Sequence, residues 1–124
     1  MMAIVSLDSD SDFSVKVFHQ PGIVVVDFWA PWCGPCKMVH AEVRQAAARF
    51  GDAVSVVKVN VDNHRALAEK YEIMAVPTLL FFKGGKPLKR IIGYASQAEI
   101  SDFLVTLVPE CKAAGFDNKN IGMI

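Results

Sequence analysis

Cys33 and Cys36 stand two residues apart in the stretch Trp29-Ala30-Pro31-Trp32-Cys33-Gly34-Pro35-Cys36-Lys37. Such a pair can join a metal site or close a small disulfide ring. A structural metal site takes four ligands, usually from a second close pair. The only other cysteine, Cys111, is distant, and there is no His-x-x-x-His. The ring needs only the residues already present, so no metal is expected. Residues 37–50 are rich in helix formers, Gly51 supplies a stop, and Pro35 suits an early helical position. A helix over 33–50 places its unpaired N–H groups and partial positive charge at Cys33. Cys33 is therefore expected to ionise below the free-thiol value of ~8.5. Only the thiolate attacks a disulfide sulfur, which makes Cys33 the nucleophile and Cys36 the resolving partner.

The elements that must hold this pair follow from hydropathy. Ala3-Ile4-Val5-Ser6-Leu7 reads as a first strand, and the acidic run 8–12 as the solvated start of a helix carrying Phe13, Val17 and Phe18. Pro21-Gly22 breaks the chain. Residues 23–29 and 54–61 are apolar on both faces, as strands covered on both sides should be. A short helix is expected over 65–71. Residues 77–83 and 88–94 form a hairpin about Gly84-Gly85, and Ser96 caps a last helix with Ile100, Phe103, Leu104 and Leu107 on one face. Strand, helix and strand around the cysteines make a right-handed parallel unit.

Two charges interrupt apolar strands. Asp27 follows four aliphatic residues, where an unpaired carboxylate loses several kcal/mol of hydration. Lys58 sits among valines, where its side chain can reach outward. His40, one turn after Cys36, is near enough to stabilise a thiolate, but the favoured reading is an exposed helical residue. His19 and His64, near helix ends, are given no role.

Trp-Cys-Gly-Pro-Cys-Lys after a strand ending Val-Asp-Phe-Trp-Ala resembles the thioredoxin family. The resemblance covers residues 3–108. It implies an α/β thioredoxin fold, a central mixed five-stranded sheet of order βαβαβαββα flanked by four helices. Residues 1–108 then form the domain, and 109–124 a C-terminal extension expected to be poorly ordered. The activity implied is general protein-disulfide oxidoreduction through a Cys33–Cys36 disulfide, with Gly34-Pro35 matching the reducing members. Oxidising and isomerising relatives usually carry histidine between the cysteines.

By the same resemblance Asp27 lies beneath the disulfide and relays the proton of Cys36, and Lys58 modulates Asp27. Val76-Pro77-Thr78 matches the loop whose proline is cis, so Pro77 should be cis and the backbone of Val76 should pair with an extended substrate. Trp32, Val61, Met74, Ala75, Ile92, Gly93 and Tyr94 complete the contact surface. No cofactor is bound. Electrons come from NADPH through a flavin-dependent thioredoxin reductase, since this chain has no Gly-x-Gly-x-x-Gly of its own. The clients implied are ribonucleotide reductase, peroxiredoxin and methionine sulfoxide reductase, met by a monomer.

The pattern departs from the family at three places. Ala41 replaces a usual helix proline, Met74 a usual polar residue, and Cys111 is additional. The last helix should carry Cys111 roughly 20 Å from Cys33.

The 13 basic residues balance 13 acidic ones in 124 residues, so no basic footprint for nucleic acid or a membrane surface exists. No apolar run is of membrane-spanning length and no basic presequence precedes Lys16. An odd cysteine count argues against a secreted disulfide framework. A cytoplasmic location is the expectation. A non-catalytic module that docks partners at the Pro77 groove is the alternative of a different class.

Overall fold

The computed structural model describes residues 4–108. The apolar runs become the centre of a sheet. Strand β1 (Ile4–Ser6) leads through a five-residue helical turn, Ser14–Phe18, to β2 (Ile23–Trp29). Helix α1 (Gly34–Ala48) and a short 3-10 turn, Gly51–Ala53, precede β3 (Val54–Asn60). Helix α2 (Arg65–Lys70), β4 (Thr78–Lys83), β5 (Lys86–Ile92) and α3 (Gln97–Leu107) complete the chain. The sheet order is β1-β3-β2-β4-β5, with β1 and β2 parallel to β3 and the β4–β5 hairpin antiparallel. This is the mixed five-stranded sheet expected from the sequence.

Alternation along β2 sends its side chains to two cores. Ile23 and Val25 pack under α1 and α3 with Val39, Val43, Phe81, Ile100 and Leu104. Val24, Val26 and Phe28 face the other side, with Phe13, Val17, Leu67 and Phe82. Each fully buried side chain of this kind contributes roughly 1.5–3 kcal/mol. On the second face Phe13, Phe18, Tyr71 and Phe82 form an aromatic cluster with mostly edge-to-face contacts. Burial there pushes the Tyr71 hydroxyl above its ordinary value.

Several boundaries differ from those read in the sequence. The first helix is only a wide turn, in which the His19 N–H reaches the Ser14 carbonyl five residues back. Its N-terminal Phe13 makes no side-chain cap; the acidic run instead reaches across the fold, with Asp10 bonded to His64. Helix α1 starts one residue later than expected, because Cys33 keeps an extended backbone (φ −91°, ψ 107°) and serves as the N-cap. It then runs unbroken through Ala41. Gly51, read as its stop, opens the 3-10 turn instead. The last helix starts as read: Ser96 Oγ accepts from the Glu99 N–H at 3.2 Å, and the Gln97 N–H is held by Glu42 of α1 at 2.6 Å. Ala3, Cys111 and the extension 109–124 lie outside the described residues.

Candidate active site

Strand β2 ends at Trp29 and the chain turns through Ala30 and Pro31 into α1. That turn fixes the cysteines. Cys33 and Cys36 form a disulfide, with Cα atoms 5.4 Å apart, and the Cys36 N–H donates to Cys33 Sγ at 3.2 Å. The sulfur of Cys33 thus takes the place of a capping oxygen at a helix start, where donors and the helix dipole stabilise negative charge. Gly34 and Pro35 are the first two residues of the helix, at positions that need no intrahelical donor. Cys33 is 5% exposed and Cys36 1%. Ala30, Trp29, Val61 and Val76 pack around the pair.

Asp27 lies two residues before the end of β2 on the side facing α1, with only 1% exposure. It is no strand-end carboxylate reaching water. Its Oδ2 is bonded to His40 Nδ1, while Oδ1 is buried with no hydrogen-bond partner among the described residues. Lys58 is opposite Asp27 in the β2–β3 register, yet its ammonium stands 5.2 Å from the centre of the Trp29 ring. The reading of His40 as an exposed helical residue is therefore corrected. Its side chain is 18% exposed, sits edge-on to Trp29 and is bonded to Asp27. The cause is helical spacing: His40 follows Cys36 by four residues and so lies above the same strand end. A cavity of about 60 Å³ adjoins these groups, lined by Ile4, Asp27, His40, Val43, Arg44, Val56 and Lys58.

A second set of residues surrounds the disulfide. The Val76–Pro77 bond is cis, and Thr78 Oγ donates to the Ala75 carbonyl at 2.7 Å across that loop. Trp32, Val61, Met74, Ala75 and Val76 line an open groove of about 170 Å³, to which Ile73 also contributes. Met74 is almost fully exposed at 92%; Trp32, Ile92 and Tyr94 are also exposed. Gly93 extends the β4–β5 pairing, its N–H donating to the Pro77 carbonyl at 2.8 Å, and its φ of +90° favours glycine. Nothing among the described residues crowds that position. The Trp32 ring N–H donates to Asp62 at 3.1 Å, which orients the indole beside the groove.

Three features were missed in the sequence: the His40 contact, Asp62 and Ile73. Only His40 carried a signal, its spacing from Cys36. Among the described residues, no group of three or more His, Cys, Asp or Glu side chains is placed to hold a metal ion, and no helix is long and apolar enough to cross a membrane. Chemically, an N-capping sulfur bonded to a neighbour one turn away is an arrangement for thiol–disulfide exchange.

Comparison with known proteins is consistent with that chemistry. The family model described as Thioredoxin matches residues 4–106. Thioredoxins of Staphylococcus aureus strains Mu50 and MW2 are each 40% identical over 103 residues, 83% of this chain and 96% of theirs. The solved structure of a point-mutant thioredoxin from Halobacterium salinarum NRC-1 superposes with a TM-score of 0.77 at 28% identity, covering 86% of this chain and 91% of that one.

Proposed function

Because this chain belongs to the thioredoxin family and is a protein thiol–disulfide oxidoreductase, we propose that it works in the reducing direction, with Cys33 as nucleophile and Cys36 as resolving thiol. The observation that carries the roles of the two cysteines is the Cys36 N–H directed at Cys33 Sγ at the mouth of α1, and the reducing direction rests on Gly34-Pro35 between them. In the dithiol form that donor and the helix dipole stabilise a Cys33 thiolate. The thiolate attacks one sulfur of a client disulfide; the Cys33–client bond forms and the client's second sulfur leaves as a thiolate. Cys36 gives up its proton to Asp27 and attacks Cys33 Sγ. The Cys33–Cys36 bond forms, and the client's first sulfur departs with the electron pair of the broken bond. Two electrons have passed from the dithiol to the client.

Lys58 acts at a distance in this scheme, adding positive charge on the Asp27 side of β3. The client backbone pairs with Val76 beside cis Pro77 in the manner of an added strand. Its side chains lie over Trp32, Val61, Met74, Ala75, Ile92, Gly93 and Tyr94. An apolar, open groove with backbone pairing suits many extended segments rather than one shaped ligand. Such clients are ribonucleotide reductase, peroxiredoxin and methionine sulfoxide reductase, in a cytoplasmic setting. A thioredoxin reductase drawing on NADPH restores the dithiol.

Coupled turnover tests this. NADPH oxidation with thioredoxin reductase and insulin should proceed with the native chain and stop with Cys33→Ser. Absence of turnover by folded, fully reduced protein would refute the reductase reading. Full biological activity of a Cys33→Ser/Cys36→Ser variant would instead establish a docking module.

A further inference from the structure

Asp27 holds an unusual pair of oxygens. One is engaged by His40, and the other is buried without a partner among the described residues. A buried acceptor left open is costly in a packed core, and here it lies beside a cavity of about 60 Å³ on the same side of the sheet as α1. His40 and Cys36 are four residues apart on α1, one above the other on a single face. The imidazole thus bridges the buried carboxylate to the surface, since Asp27 is 1% exposed and His40 18%.

We infer that His40 is a positioning residue for the resolving step: by holding Oδ2 of Asp27 it leaves Oδ1 as the atom that accepts the Cys36 proton. The inference rests on the assignment of Asp27 as proton acceptor above. In the mixed disulfide, the proton of the Cys36 thiol passes to Oδ1. The electron pair left on Cys36 Sγ forms the bond to Cys33 Sγ, and the client sulfur leaves with the pair of the broken bond. The proton on Asp27 is then lost to solvent.

The other charged groups around Asp27 are Lys58 from β3 and Arg44 from α1; β1 contributes only Ile4. His40 is the one that bonds the carboxylate.

The test follows the two steps separately. In a full-length chain carrying Cys111→Ser, so that only Cys33 and Cys36 react, the reduced protein is mixed with an aromatic disulfide that releases coloured thionitrobenzoate. The first release reports attack by Cys33 and the second reports resolution by Cys36. His40→Ala should leave the first phase within about twofold and slow the second about fivefold at neutral pH. In the Asp27→Asn background the same change should alter the second phase by less than about twofold, because the group it acts through is gone. His40→Gln, which retains a side-chain donor for Oδ2, should recover the rate of the second phase to within about twofold of the native chain. An unchanged second phase in His40→Ala would overturn the proposal, as would equal slowing in both backgrounds. Loss of the first phase in the unsubstituted protein would overturn the Cys33 assignment and this inference with it.

Discussion

Two histidine–aspartate pairs sit on opposite sides of the sheet, and each buries the partner that the other exposes. Beside α2, His64 is 4% exposed while the Asp10 side chain is 48% exposed. His64 Nδ1 lies 2.6 Å from Asp10 Oδ1 and its Nε2 lies 3.1 Å from the Leu7 carbonyl. Both ring nitrogens are engaged, and the ring ties α2 to the segment after β1. Beneath α1 the order is reversed: the carboxylate of Asp27 is buried, the imidazole of His40 is part-exposed, and Oδ1 is unpartnered among the described residues. A buried polar group with every site engaged rigidifies its surroundings. One with a site left open has capacity to accept a proton. The same two residue types therefore make a strut on one face and leave an open acceptor on the other, and what separates them is which member is withdrawn from water.

That contrast is open to direct attack. Asp27→Asn should slow resolution of the mixed disulfide on the order of 10²-fold, the low end for loss of an acid–base group. It should barely lower the melting temperature, because asparagine keeps an oxygen for His40 and removes the desolvation cost of a buried charge. Stopped-flow kinetics and calorimetry on one sample read both quantities. A large loss of stability there would make Asp27 a strut like His64.

His64→Ala should do the converse. Unfolding by urea should show a loss of about 1–3 kcal/mol, from the Leu7 carbonyl left without its partner, while the rate of insulin reduction stays within about twofold. A kinetic defect would erase the distinction between the two pairs. Asp10→Ala should act in the same direction: it leaves Nδ1 of the buried His64 without its partner and should cost about 1–3 kcal/mol by the same denaturation.

The smallest effect concerns Tyr71, on the same face as His64. Burial raises its folded-state value above the ordinary 10.0. The unfolded chain therefore loses the hydroxyl proton first as pH rises, and the folded state binds more protons in that interval. Stability from this group is complete below about pH 10 and declines as pH climbs through the folded-state value. Alkaline melting curves of the native chain against Tyr71→Phe should diverge only there. Divergence near neutral pH would show that the difference does not come from the Tyr71 hydroxyl.

The local chemistry of the cysteines was legible in the chain, because everything it needs lies within one turn. Cys33, Gly34, Pro35 and Cys36 are consecutive, and a helix start acts on them through its own N–H groups. The apolar runs of β2 and β3 were equally plain, since strands covered on both faces have little room for polar positions. The wide turn at Ser14–Phe18 was read as an ordinary helix because Phe13 and Val17 are spaced for burial either way. His40 was misjudged for a different reason. Its nearest partner is thirteen residues earlier in the chain, on a strand whose facing side is set only when α1 docks.

What the sequence alone determined is thus the reactive pair, the helix that charges it and the order of the elements around it, all consequences of residue types within a few positions of one another. Tertiary structure decided which imidazole meets which carboxylate, and that Lys58, though level with Asp27 in the sheet, leans toward Trp29 instead. The physical reason is burial. Whether a polar atom keeps water, gains a partner or stands alone depends on the layers closing over it, and those layers come from distant parts of the chain.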